Sequence, residues 1–131
     1  MFDLTSVFSI ILVSFIWGAS NPFIRQGALD TTKANRDQGR AFPLHIISDV
    51  YQFFANWRFA VPFLINQSGS VLFNLLLTQL PTTLIVPTVN SLTFIWTAVI
   101  GSYVEGKSIS LQKWIGIGVC LSGIALITIN D

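Results

Sequence analysis

Charged side chains are scarce in this chain of 131 residues. Asp, Glu, Lys and Arg make up 10% of the sequence, against about 25% in an ordinary soluble domain, whereas hydrophobic residues make up 52%. Seven Lys and Arg nearly balance six Asp and Glu, so the sequence lacks the broad basic surface that binds nucleic acid. We expect a small protein that crosses the lipid bilayer several times and does not bind nucleic acid.

Cysteine and histidine are almost absent as well. Cys120 and His45 are the only residues of their types, which excludes an intramolecular disulfide and a thiolate-rich metal site. The sequence offers no nucleophile beside a base, no glycine-rich phosphate loop and no paired carboxylates. We therefore expect no catalytic residues, no metal site, no cofactor and no enzymatic activity.

Four runs of low charge have about the 20 residues that a membrane-spanning helix requires. They predict spans over residues 4–24, 59–80, 84–104 and 111–130, the last of them uncharged from Trp114 onward. The predicted fold is all-α, a single four-helix membrane bundle. Residues 18–20 also suit signal-peptide cleavage, but no basic residue precedes them, so the first run is interpreted as a retained helix.

Every basic residue falls between spans one and two or between spans three and four; they are Arg25, Lys33, Arg36, Arg40, Arg58, Lys107 and Lys113. The positive-inside rule places these two segments in the cytoplasm. Both termini are therefore expected on the extracytoplasmic or lumenal side.

The segment that joins spans one and two changes in composition along its length. Pro22 is expected to bend or end the first helix, and residues 25–40 are polar and predict a flexible loop. Residues 44–57 predict an amphipathic helix with Pro43 at its start, with His45, Asp49, Gln52 and Asn56 on its polar face and Leu44, Ile47, Val50, Tyr51 and Phe54 on its apolar face. Such a helix either lies in the membrane interface or caps the bundle from the cytoplasm.

Polar residues form stripes along three of the spans. Span two carries Gln67, Ser70 and Asn74, with Asn66 and Gly69 at the flank, span three carries Asn90, Thr93 and Thr97, and span one carries Asn21. Because polar groups in a membrane need partners, we expect these stripes to face one another. The lining then serves either as a path or groove for a polar solute or as hydrogen-bonding glue between helices.

Two further features concern the cytoplasmic end and the last span. Glu105 is interpreted as a helix-end charge paired with Lys107, with a role in ion coupling as the alternative. Gly116, Cys120 and Gly123 form a ridge of small residues on span four. Such ridges allow close approach of another helix, so we expect an assembly seam there.

Several segments, in this order, resemble a known family. Residues 17–23 read WGASNPF, residues 62–74 read PFLINQSGSVLFN, and residues 86–101 read VPTVNSLTFIWTAVIG, followed by EGK and a glycine-rich span. Together they resemble the transmembrane protein 234 family over most of the chain. That family is similar to one half of the drug/metabolite transporter superfamily. The resemblance implies a transporter-like bundle of four helices and carries over no substrate.

One departure from that superfamily bears on mechanism. Its four-helix antiporters carry a carboxylate in the middle of the first helix, whereas this chain has no acid between Asp3 and Asp30. Proton-coupled drug exchange therefore lacks its central group. The expected function is binding or passage of a polar or amphipathic solute by a homodimer or larger assembly. The alternative is an accessory subunit of a larger membrane complex, such as one that handles lipids. An endoplasmic reticulum or other endomembrane location is favoured.

Overall fold

A computed structural model describes residues 3–37 and 46–130. It contains α1 (Leu4–Asp37), α2 (Ile46–Ala55), α3 (Trp57–Leu77), α4 (Thr82–Val104) and α5 (Leu111–Asn130). All but α2 are long and apolar enough to cross a membrane, and the described ranges contain no strand. This confirms the predicted all-α fold with four spanning helices and a shorter helix between the first two.

Helix α1 is the centre of the bundle. It lies between α3 and α4, which barely touch each other, and α5 lies against α4. The core contains Ile10 and Val13 of α1, Leu76 of α3, and Ile85 and Val89 of α4. Large apolar side chains cover much of the remaining surface, as in helices that face lipid.

Glycines bring the helices close to α1. A Cβ atom added to Gly18 would overlap the Cβ of Trp96, and one added to Gly69 would lie 2.8 Å from the ring of Trp17. Real Cβ atoms do not approach other atoms so closely, which means that a larger residue at either position would push α1 away from its neighbour.

The first helix is much longer than its predicted span. Its 34 residues extend about 51 Å, beyond the hydrocarbon thickness of about 30 Å. Pro22 lies inside this helix and does not end it. The prediction of a flexible loop over residues 25–40 is therefore wrong as far as Asp37, and Arg40 lies outside the described residues. Tertiary contacts hold the extension in place, and sequence periodicity does not report such contacts.

Helix α2 follows the predicted amphipathic pattern within the part that the structure describes. Asp49 and Gln52 are half-buried, whereas Ile47, Val50 and Tyr51 are exposed. An outward apolar face favours a helix that lies in the membrane interface over one that caps the bundle. Pro43, Leu44 and His45 lie outside the described residues.

The N-terminal end of α1 has a capped first turn. The backbone N–H of Ser6 donates to the Asp3 carboxylate at 2.9 Å. Hydrogen bonds from the side chain and the backbone of Ser6 lower the pKa of Asp3 below its ordinary value. The carboxylate therefore stays ionised at neutral pH beside the positive end of the helix dipole.

Candidate functional site

A polar node joins the three central helices. The Asn21 amide of α1 donates to the Thr97 hydroxyl of α4 at 3.3 Å. The Asn66 amide of α3 donates to the Asn21 side-chain oxygen at 3.3 Å and to the Ser20 hydroxyl at 2.8 Å. Asn21 thus bonds to both flanking helices, and we call Ser20, Asn21, Asn66 and Thr97 the polar node.

The polar node also supplies a hydrogen bond that Pro22 removes from α1. Proline has no backbone N–H, so Pro22 leaves the carbonyl of Gly18 without its helical donor. The Thr97 hydroxyl donates to that carbonyl at 3.3 Å. One turn away, the Trp17 indole N–H donates to the Asn66 backbone carbonyl at 3.1 Å. These bonds tie α1 to both neighbours at the point where proline would otherwise weaken the helix.

The predicted stripe residues divide between this interior and the outer surface. Asn21 and Thr97 belong to the node, and Thr93 is buried, with its hydroxyl bonded to the Val89 carbonyl at 2.7 Å. The others lie farther out: Ser70 is half-buried, and Gln67, Asn74 and Asn90 are exposed. The stripes of spans two and three therefore do not meet as expected, because α1 occupies the space between them.

The exposed polar residues continue outward from the node. Ser70 and Asn74 follow Asn66 at intervals of four residues, and Asn90 precedes Thr97 by seven. Each four-residue step along α3 turns the side chain by about 40°, so the α3 stripe moves gradually outward. Seven residues almost complete two turns, so Asn90 lies on nearly the same side of α4 as Thr97 but two turns away. We use the name outer polar face for two separate groups of outward polar residues, Gln67, Ser70 and Asn74 on α3 and Asn90 on α4, which α1 holds apart.

The two sets differ in hydrogen bonding. Each node side chain has a partner within the bundle. Within residues 3–37 and 46–130, no member of the outer polar face bonds to a side chain or backbone of another helix. The interior polar groups therefore hydrogen-bond to one another across helices, whereas the outer ones have no partner on another helix in the part of the chain that the structure describes.

At the cytoplasmic end of the predicted topology, Glu105 pairs with Arg25 of α1 at 2.6 Å. The expected partner Lys107 is exposed and makes no ion pair among the described residues. Arg25 reaches Glu105 because α1 continues as a helix beyond Pro22. Glu105 lies at the C-terminal end of α4 and pairs with Arg25 instead of Lys107, the partner expected from the sequence.

Asn56, which the sequence placed only on a polar helix face, joins three helices in the structure. Its side-chain oxygen accepts from the Arg58 backbone N–H at 3.1 Å and so caps α3. Its amide donates to the Thr31 hydroxyl at 2.9 Å and to the Gly27 carbonyl at 3.3 Å. The sequence could indicate the cap, because Asn is a preferred N-cap residue before an apolar run. It could not indicate the hydrogen bonds from Asn56 to α1.

The ridge on α5 lies at the edge of the bundle. Gly116 is exposed, and Cys120 and Gly123 are half-buried. Cβ atoms added to Gly116 or Gly123 would meet nothing within 4 Å. The ridge therefore has room for a further helix, and the structure contains no such helix among its described residues.

Comparisons with known proteins agree on one family. The model of "Putative transmembrane family 234" matches residues 10–128. The chain is 33% identical over 124 residues to a Transmembrane protein 234 homolog of Dictyostelium discoideum, covering 95% of this chain and 94% of that protein. A homolog of the same name from Anopheles gambiae is 31% identical over 126 residues, with 95% and 86% covered. No solved structure matches. The chain belongs to the transmembrane protein 234 family.

Proposed function

We propose that this member of the transmembrane protein 234 family is one subunit of a transporter of the drug/metabolite type. In this proposal a second copy covers the outer polar face, and a polar or amphipathic solute binds between the two copies. The observation that carries the proposal is the contrast between the satisfied node and the exposed amides of Gln67, Asn74 and Asn90.

The exposed amides of Gln67, Asn74 and Asn90 would be costly to leave in contact with lipid. Transfer of an amide from water to hydrocarbon without a partner costs about 4–8 kcal/mol. Asn74 and Asn90 each lie about two helical turns from the node, or about 11 Å along the helix axis. Gln67 and Asn90 lie ten and eight residues inside α3 and α4, whereas Asn74 lies three residues before the end of α3. The amides of Gln67 and Asn90 are therefore well inside their spanning helices and need cover by protein, water or solute.

The chemistry of the outer polar face limits the kind of solute. Its members are three amides and one hydroxyl, which donate and accept hydrogen bonds and carry no charge. Such a surface suits neutral or zwitterionic solutes better than permanently charged ones. Because α1 carries no carboxylate between its beginning and Asp30, the proposed transport is not driven by proton exchange in the middle of the membrane at that helix.

The accessory-subunit function has its own support in the node. Its side chains bond to one another, as expected of groups that only hold helices together. In that case a larger membrane protein covers the outer polar face. The identity of the covering protein distinguishes the two functions.

The first experiment is purification of the whole chain in a mild detergent, followed by native mass spectrometry. A transporter built from two copies is expected to give a homodimer. A stoichiometric complex with a different membrane protein would contradict this proposal and favour the accessory subunit.

The second experiment tests solute binding by thermal unfolding of the assembly with amino acids, nucleosides and monosaccharides. We expect at least one solute to raise the unfolding temperature of the wild type but not of Asn90→Leu. The matched control is Phe94→Leu, which alters an exposed α4 residue one turn away. Equal shifts in both variants, or none with the wild type, would contradict solute binding at this face.

A further inference from the structure

A cleft opens between α1 and the start of α3, beyond the polar node. It has a volume of about 330 Å³ and is lined by Phe23, Gln26, Gly27, Asp30, Trp57, Arg58, Val61 and Pro62. This volume is within the range of about 300–1,000 Å³ that is usual for small-molecule sites. Neither the polar node nor the outer polar face contributes to it.

The cleft has an apolar part and a charged part. Phe23 and Val61 are 45% and 49% exposed, so they present apolar surface without being covered by the bundle. Asp30 and Arg58 lie at the other part, and their side chains are 49% and 66% exposed. Along α3, the charged part of the cleft comes first and the apolar part follows. Arg58 lies at the beginning of this spanning helix, one turn before Val61.

The charged pair keeps free bonding capacity. The Arg58 guanidinium lies 3.6 Å from the Asp30 carboxylate, which is a loose ion pair rather than a short hydrogen bond. Arginine has five N–H donors, and a carboxylate accepts several hydrogen bonds. The guanidinium also lies 5.9 Å from the centre of the Trp57 ring, which orients it at the beginning of the helix.

We propose that this cleft binds a zwitterionic glycerophospholipid. The Arg58 guanidinium takes the phosphate, the Asp30 carboxylate takes the ammonium group, and the first part of an acyl chain lies on Phe23, Val61 and Pro62. One cation and one anion at the rim complement a headgroup that carries one charge of each sign. A headgroup with only negative charge would bring its phosphate beside Asp30 without a compensating ammonium.

The position of the cleft suits this ligand. Tryptophan and arginine at the beginning of a spanning helix are typical of the headgroup level. The apolar residues lie one turn or more farther into the span, at the depth of the acyl chains. The Asn56 bonds to Thr31 and Gly27 hold the α1 extension beside α3, so both walls of the cleft are built before a lipid binds.

The test uses the delipidated full-length protein in detergent and native mass spectrometry. The probes are dioleoyl-phosphatidylethanolamine and dioleoyl-phosphatidylglycerol, which share acyl chains and differ in the ammonium group. We expect tighter binding of the ethanolamine lipid. Loss of a charge-assisted contact in Arg58→Gln should weaken that binding about tenfold. Asp30→Asn should remove the preference between the two lipids.

The matched control is Lys33→Gln, which removes an exposed positive charge from the same end of α1 without touching the cleft. It is expected to bind as the wild type does. Val61→Trp fills the apolar part of the cleft while both charges remain, and it should abolish binding of both lipids. Preference of the wild type for phosphatidylglycerol, or equal binding by wild type and Val61→Trp, would overturn the proposal. Neither result bears on solute binding at the outer polar face.

Discussion

Thr97 bonds to the backbone carbonyl of Gly18, which is the acceptor that Pro22 leaves free in α1. The hydroxyl thereby supplies from α4 the hydrogen bond that α1 cannot make for itself. It also accepts from Asn21, so one side chain of α4 stabilises two positions on α1. The continuation of α1 to Asp37 depends on such contacts.

Replacement of this hydroxyl should therefore destabilise the bundle. We expect Thr97→Val to lower the free energy of unfolding by about 1–3 kcal/mol, the cost of unsatisfied buried polar groups. Thr97→Ser, which keeps the hydroxyl, is the control. Because Pro22→Ala restores a helical donor to Gly18, Thr97→Val should cost less in that background. Equal losses in both backgrounds, measured by unfolding in detergent, would contradict the repair of α1 by Thr97.

Asn56 should show two separable roles. Asn56→Asp keeps an oxygen that caps α3 but removes the amide donor to Thr31 and Gly27, whereas Asn56→Ala removes both functions. We expect Asn56→Ala to cost about 1–2 kcal/mol more than Asn56→Asp, since loss of a helix cap costs about that much. Hydrogen exchange should report faster opening of residues 28–37 in both variants. Exchange unchanged from the wild type would show that Asn56 does not hold the α1 extension.

The glycines of α1 and α5 should respond differently to the same change. Gly18→Ala places a methyl group against Trp96, and we expect a loss of about 1–3 kcal/mol from overpacking. In the dissociated monomer, the methyl group of Gly116→Ala meets nothing within 4 Å and should stabilise α5 by up to about 1 kcal/mol through helix propensity. Thermal unfolding of both variants checks this pair. Similar losses in the two would mean that α5 packs against more than α4.

The open ridge of α5 is expected to be an assembly seam, separate from the outer polar face that a second copy covers in the proposed transporter. Leucine at Gly116 or Gly123 should block close approach of a second helix and shift the assembly toward monomers while leaving each chain folded. Ala125→Leu, an exposed small-to-large change elsewhere on α5, is the control. Native gels and crosslinking through Cys120 measure the outcome. A seam elsewhere is indicated if all three variants assemble like the wild type.

The distribution of basic residues predicts the orientation in the membrane. The structure places Arg25, Arg58 and Lys107 at one end, because Gly27 of α1 packs against the beginning of α3 and Arg25 pairs with Glu105 at the end of α4. We expect tags at both termini to be extracytoplasmic or lumenal. Protease protection of each tag in sealed and opened vesicles measures this. A tag on the cytosolic side at either terminus would refute the topology.

The sequence by itself determined the number of spanning helices and the positions of the charges between them. These features depend on local quantities: the hydrocarbon core requires about 20 apolar residues in each span, and charged residues are costly inside it. Three of the four predicted spans therefore agree with their helices to within three residues at each end. The exception is α1, which passes the last apolar residue and continues as a helix.

Tertiary structure alone decided how far α1 extends and which polar residues lie inside. Composition indicated a loop after Pro22, but the segment is helical as far as Asp37. Asn56 bonds to its residues Gly27 and Thr31, and Arg58 pairs with Asp30. A helical wheel placed Asn66 at the flank of a stripe that contains Gln67, yet Asn66 joins the node and Gln67 faces outward. The wheel gives the angle between two side chains, whereas the direction toward the core depends on which helix lies alongside. Here that helix is α1, and its central position follows from packing between segments far apart in the chain.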